Sequence, residues 1–267
     1  MKTESLGANG EDADSSCDSF HRGAFHVLQP LKGHRSGIDA MILAAAVPAS
    51  FSGTICDLGA GAGAAGLAVA ARCEGAHVTL VDNALQMVAM ARKTVALEHN
   101  AAIASRIRVV EADVAARRPQ REAAGLADNA FDFAIMNPPF NDARDRQTPD
   151  DAKRGAHVMK DGLLEDWVRT AAALVKTRGG LAVIARPQSL AAILDAMDGR
   201  FGGAKIVPIH PRPSMAAIRI MVRAVRASRA PLSLMPGLVL HGESGDSFTP
   251  QADAINNGRA GLFDGNV

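Results

Sequence analysis

Four consecutive residues, Asn137-Pro138-Pro139-Phe140, carry the most specific chemistry in the chain. An amino group on an aromatic ring or in an amide is a poor nucleophile, because its lone pair is delocalised. A site corrects this by accepting both N–H bonds, here with the Asn137 side chain and the Pro138 carbonyl, and drawing the nitrogen towards tetrahedral geometry. The lone pair then points at an electrophilic carbon for in-line transfer, which is orientation combined with electrostatic preorganisation. Pro138 and Pro139 stiffen the backbone, and Phe140 offers a flat apolar surface on which a base or amide can stack. No strong general base is required, because the alkylated nitrogen is acidic and sheds its proton readily. In isolation the tetrad reads equally well as a Pro-Pro turn closing a strand, so its weight depends on what precedes it.

What precedes it is Asp57-Leu58-Gly59-Ala60-Gly61-Ala62-Gly63, three glycines between an expected strand and an alanine-rich helix. Lacking Cβ atoms, such a turn bends tightly and lets a ligand lie against the backbone, with helix N–H donors beyond it. Gly61 to Gly66 also satisfies the G-x-G-x-x-G spacing of dinucleotide-binding proteins, and Asp82 lies at a suitable distance for a ribose contact. On this loop alone NAD and S-adenosylmethionine are not separated, and Asp82 can also serve as a plain helix cap. The tetrad breaks the tie: a planar amino nitrogen is an acceptor for a sulfonium methyl, so S-adenosylmethionine is the expected cofactor.

These residues need a frame. Thr54–Leu58, His77–Asp82, Arg106–Val110, Phe131–Met136 and Leu181–Ala185 read as strands. Between them lie helical patterns at about Asp39–Val47, beyond the glycine turn, at about Ala84–Glu98, and at Leu163–Thr177, closed by Gly179-Gly180. Ser189–Met197 adds another helix. Strands alternating with helices predict an α/β fold with a mostly parallel sheet covered on both faces. Lys205–Ile209 and Ala217–Ala224 have no helix between them, which predicts an antiparallel pair at one edge. The polar segment Asn141–Asp161 reads as a loop beside the tetrad, suited to a substrate-recognising lid. Residues 1–20 read as a disordered acidic tail, 21–235 as the catalytic domain, and 236–267 as a partly irregular extension.

Asp57 to Gly63, Asp82, Asp113 and the tetrad, in this order, resemble the class I S-adenosylmethionine-dependent methyltransferases with an Asn-Pro-Pro-aromatic motif. The resemblance implies a Rossmann-like seven-stranded sheet whose last strand is antiparallel. It also implies cofactor roles: Asp57, Gly59, Gly61 and Gly63 beside the methionine part, Asp82 with its neighbour Asn83 at the ribose, and Asp113 with Val114 at the adenine. Gln29-Pro30 with Gly33, Arg35 and Asp39, together with Leu163-Glu165-Asp166-Trp167, is similar to bacterial tRNA(Val) adenine-N6-methyltransferases over about residues 25–225. By that likeness the Gln29–Asp39 segment folds over the methionine end, with Arg35 or Asp39 meeting its carboxylate or amine, and tRNA is the expected partner. Protein glutamine amides and guanine N2 of ribosomal RNA present the same nitrogen chemistry and stay open as acceptors. So do a non-catalytic cofactor sensor and an NAD oxidoreductase.

The bulk composition narrows the classes further. Hydrophobic residues make up 48% and charged residues 21%, an ordinary globular balance, and no apolar run reaches the ~18 residues of a membrane helix. The formal net charge of +1 gives no global attraction to nucleic acid, so phosphate binding would rest on local clusters. Two are visible: Arg106, Arg108, Arg117, Arg118 and Arg121, and Arg212, Arg219, Arg223, Arg226 and Arg229, which read equally as solvated faces or as phosphate contacts. Cys17, Cys56 and Cys73 are scattered and the histidines dispersed, so neither disulfides nor a metal site is expected, and a reduced cytoplasmic setting is.

Overall fold

The computed structural model describes residues 3–4, 15–33, 35–139 and 162–263. A three-stranded antiparallel sheet comes first, from β1 (Thr3–Glu4), β2 (Ser15–Phe20) and β3 (Phe25–Pro30). The alternating strand and helix elements then follow: α1 (Ile38–Ala45), β4 (Ser52–Leu58), α2 (Ala64–Arg72), β5 (Gly75–Asp82), α3 (Leu85–Val95), α4 (Ala101–Ala104), β6 (Ile107–Glu111), α5 (Arg118–Ala123) and β7 (Phe131–Met136). After residue 161 come α6 (Leu163–Leu174), β8 (Val175–Ala185), α7 (Leu190–Met197), β9 (Phe201–His210), β10 (Arg219–Arg226), β11 (Ser233–Leu234), β12 (Leu238–Val239) and α8 (Pro250–Asn256).

The main sheet runs in the order β11-β9-β10-β8-β7-β4-β5-β6, with β12 also on β9. Its centre is parallel, β6, β5, β4, β7 and β8 lying side by side. β10 is antiparallel to both neighbours. This is the expected seven-stranded frame, with one correction. The final two long strands do pair antiparallel, but β10 inserts between β8 and β9, and β11 and β12 lie outside β9.

Successive residues of the central strands feed two cores, the signature of a sheet buried on both faces. In β8, Ala182 and Ile184 join one cluster with α1, α2 and α8, while Leu181, Val183 and Ala185 join the other with α6 and α7. Each cluster is built of fully buried aliphatic side chains, including Leu43, Ile55 and Leu67 on one face and Leu58, Met136 and Leu174 on the other.

Two other expectations are corrected. Ser15–Phe20 is a strand, paired residue by residue with β3, and not part of a structureless tail. The helix around Trp167 ends at Leu174, and Gly179-Gly180 lie inside β8 and do not close the helix. They are there because a Cβ at Gly180 would collide with the Phe133 ring, and one at Gly179 would lie 2.7 Å from the Asp132 carbonyl. Residues 237–263, read as a partly irregular extension, hold β12 and α8 among irregular stretches and pack on the core, with Ala252 and Ile255 fully buried and the Leu262 N–H donating to the Ala45 carbonyl at 2.7 Å.

Candidate functional site

The site is assembled at the carboxyl ends of β4, β5 and β7, where an open parallel sheet leaves a crevice. β4 ends at Leu58, and the chain reverses through Gly59 (φ +73°) and Gly61 (φ +56°) before α2 begins at Ala64. The N–H groups of Gly59 and Ala60 both donate to the Val81 carbonyl, at 2.8 and 2.9 Å, which anchors the turn to β5. Glycine is required twice over at Gly59: the backbone is left-handed, and a Cβ would collide with the indole of Trp167. At Gly61 a Cβ would meet nothing within 4 Å, so that position faces open space.

Two acids engage the same turn. Asp82, at the end of β5, accepts from the Gly61 N–H at 2.8 Å and from the Ala84 N–H at 2.9 Å. Asp57 is buried under the loop and accepts from the Gly66 N–H at 2.9 Å. Burial pushes the Asp57 carboxyl up to about 7, against the opposing pull of the Gly66 N–H and with a smaller push from the charge of Asp82.

A cleft lies in front of the turn. Its floor is Gly59, Ala60, Gly61 and Ala62 with Asp57, and its walls include Ala40, Leu43, Ala65 and Met87. Gln29, Pro30 and Ser36 close it from the N-terminal side, and Asn137 closes it from the end of β7. The structure therefore brings Gln29, Asp57, Gly59, Gly61 and Asn137 to one cavity, with Asp82 joined to it through Gly61.

The other expected residues stand further off. Asn83 and Asp113 are exposed and not part of the cleft lining, and the Asp113 carboxylate caps the Ala115 N–H at 2.9 Å. Val114 is buried, and its carbonyl accepts from the Thr170 hydroxyl at 2.7 Å. Gly63 caps α2, and Gly33 is exposed in the connection after β3. Pro138 is buried and Pro139 half-buried, while Phe140 and the expected lid at 141–161 lie outside the described residues.

Arg35 and Asp39, expected at the methionine end of the cofactor, both have protein partners. Arg35 pairs with Asp18, and Asp39 pairs with Arg219 at 2.8 Å. The arginine clusters are likewise committed largely to the fold. Arg106 donates to the carbonyls of Ala70, Cys73 and Ala76, and Arg121 is buried against Asp128. Arg212 holds the Gly242 carbonyl, Arg226 that of Val175, and Arg223 lies 3.9 Å over the Phe263 ring. Among the described residues no group of three potential metal ligands occurs, and no helix is long and apolar enough to cross a membrane.

The donor and acceptor pattern separates the two cofactors that the loop left open. A dinucleotide presents its diphosphate to the amides of the glycine turn and the following helix. Here the Gly61 and Gly66 amides are taken by carboxylates, and a diphosphate would face both Asp57 and Asp82. A buried carboxylate, a side-chain-free floor and apolar walls instead fit a ligand carrying an ammonium and a nucleoside, as S-adenosylmethionine does. Residues 36, 40, 43, 65 and 87 of the lining, and Asp18 behind it, were not singled out in the sequence. Small and apolar side chains carry no local signal of a ligand wall.

Comparisons with known proteins agree with this geometry. Residues 35–210 match the methyltransferase small domain family. A predicted O-methyltransferase from Agrobacterium tumefaciens shares 45% sequence identity, covering 84% of this chain and 97% of that one, with a TM-score of 0.73. A tRNA (m1A58) methyltransferase from Aquifex aeolicus shares the fold alone, at 9% identity, 75% and 72% coverage and a TM-score of 0.51. No curated protein sequence matches the chain. With two thirds of its length in that match and a 45% identical relative spanning most of it, the chain belongs to the methyltransferase small domain family, whose members use S-adenosylmethionine as methyl donor.

Proposed function

We propose that the protein transfers a methyl group to a planar exocyclic amino nitrogen, adenine N6 in tRNA being the acceptor that the sequence resemblance favours. The observation that carries the reading is the position of Asn137 on the wall of the cleft that also holds Asp57 and Gly61. When bound, S-adenosylmethionine supplies an electrophilic methyl on a sulfonium.

Asp57 receives the ammonium of the donor, Asp82 the ribose hydroxyls, and Asp113 with Val114 the adenine. The Asn137 side-chain oxygen and the Pro138 carbonyl accept the two amino hydrogens and orient the nitrogen lone pair, while Phe140 stacks on the ring. With its lone pair aimed by Asn137 and Pro138, the acceptor nitrogen would take the donor's methyl and give its extra proton to water. Each of these roles is one of holding and aiming, so the rate gain comes from preorganisation.

The Agrobacterium relative is described as a predicted O-methyltransferase. A hydroxyl acceptor calls for a base at the reacting atom. Among the described residues that line the cleft, the one ionisable side chain is Asp57, which lies under the glycine turn with its carboxylate on Gly66. That arrangement supports nitrogen over oxygen. Glutamine amides in protein and guanine N2 in ribosomal RNA are the next acceptors by the same chemistry. Incubation with radiolabelled S-adenosylmethionine and separate pools of tRNA, ribosomal RNA and protein tests the assignment. Label confined to protein would reject the RNA reading.

A further inference from the structure

Asp18 is fully buried and lies before the part of the chain matched by the family. On β2 it sits opposite Val27, and Ser16 sits opposite Gln29, so Ser16, Asp18 and Gln29 share one face of the hairpin. One oxygen of Asp18 accepts from Gln29 Nε2 at 2.6 Å and from Arg35 Nη2, and the other accepts from the Ser16 hydroxyl at 3.3 Å.

The two held side chains in turn hold the connection between β3 and α1. Arg35 Nη1 donates to the Pro30 carbonyl at 2.9 Å, and the Ser36 N–H donates to Gln29 Oε1 at 2.6 Å. A single buried carboxylate thus pins both ends of the Pro30–Ser36 connection. Gln29, Pro30 and Ser36 are the residues that close the N-terminal side of the cleft.

The docking of the hairpin does not depend on this network. On its other side the His26 N–H donates to Asn100 Oδ1 at 2.9 Å, and the Leu28 N–H donates to Thr94 Oγ1 at 3.1 Å. Both of those side chains are buried. Loss of Asp18 therefore leaves the hairpin attached and releases the connection. A buried ion pair is weak evidence for stability in its own right, and fixing one geometry among several is a better-attested use.

We propose that Asp18 is a positioning residue for the methyl donor: through Gln29 and Arg35 it sets the wall that closes on the amino-acid part of S-adenosylmethionine. The proposal rests on reading the cleft as the donor site. The amino-acid part is the one concerned because the 29–36 wall shares its cavity with Asp57, the acid that matches an ammonium, whereas Asp82 lies beyond Gly61.

The test is calorimetric binding of S-adenosylmethionine, S-adenosylhomocysteine and 5′-methylthioadenosine, which lacks the amino-acid part, to the full chain. Asp18→Asn is expected to weaken the first two by about tenfold or more and to leave methylthioadenosine within about twofold. Arg35→Lys keeps the charge but loses the two-nitrogen fork, so the same pattern is expected; it decides the question alone if Asp18→Asn does not fold. Equal weakening of all three ligands, or of none, overturns the positioning role. Asp82→Ala, at the ribose, weakens all three alike if the cleft is the donor site. Wild-type protein that binds none of them rejects the donor-site reading itself, and the proposal with it.

Discussion

The carboxylate of Asp82 accepts the Gly61 N–H at 2.8 Å, so the acid at the end of β5 holds the apex of the glycine turn that follows β4. Each carboxylate oxygen retains a further acceptor position, which two ribose hydroxyls can use without displacing the Gly61 and Ala84 amides. Asp82→Ala removes both functions together. Donor binding should weaken by about 1.5–3 kcal/mol, the loss expected for a charge-assisted hydrogen bond. Calorimetric titration checks this, and unchanged affinity would place the ribose elsewhere.

Asn137→Ala should separate chemistry from binding. Asn137 reaches the cleft from β7, on a different element from the acids that hold the donor, so affinity for S-adenosylmethionine should stay near wild type. Transfer should fall by roughly 10²–10³-fold, the usual cost of one preorganised polar contact to the reacting group. A fall in donor affinity matching the fall in rate would mean that Asn137 is a binding residue and not an orienting one.

Gly59 and Gly61 should respond differently to alanine. At Gly59 the new methyl enters the Trp167 ring and the backbone is left-handed, so unfolding free energy should drop by about 1–3 kcal/mol. At Gly61 only the backbone term applies, about 1 kcal/mol, since the added methyl meets open space. Donor affinity should nevertheless suffer at Gly61, because the position forms the floor of the cleft. Denaturant melts and binding measured on both variants would distinguish the packing glycine from the ligand-facing one.

Much of this candidate site is legible in the sequence, and the reason is locality. The glycine turn, Asp57 and Asp82 act through residues adjacent in sequence or on neighbouring parallel strands, so their spacing reports their geometry. Asp18 was not legible: it sits in an acidic, serine-rich stretch that reads as solvated, and its partner Arg35 is 17 residues on. Arg106 and Arg226 read equally as solvated charges or phosphate contacts, because sequence shows charge and not the backbone carbonyls that absorb it. Gly179-Gly180 read as a helix stop, whereas the Phe133 ring on the neighbouring strand is what demands them. The insertion of β10 between β8 and β9 likewise depends on pairing between segments that carry no local mark of it.

Asp57 makes the protein sensitive to pH near neutrality. Its carboxyl is raised from the ordinary range near 4 to about 7, mainly by burial, so the folded state holds the proton more tightly than the unfolded chain. Its contribution to stability is complete below pH ~4 and is lost as pH rises to about 7, a decline on the order of a few kcal/mol at most. Donor affinity should run the other way, rising with pH through about 7 as the carboxylate becomes available to an ammonium. Both slopes should flatten in Asp57→Asn, as measured by denaturant midpoints and by binding across pH 5–8.

The most direct test of the central claim is the chemical identity of the methylated product. Protein incubated with radiolabelled S-adenosylmethionine and tRNA from cells lacking this enzyme, followed by digestion to nucleosides, should yield N6-methyladenosine, and Asn137→Ala should lower its rate of formation by roughly 10²–10³-fold. Label recovered on a hydroxyl oxygen, as a ribose or small-molecule methyl ether, would contradict the amine-directed role assigned to Asn137 and Pro138.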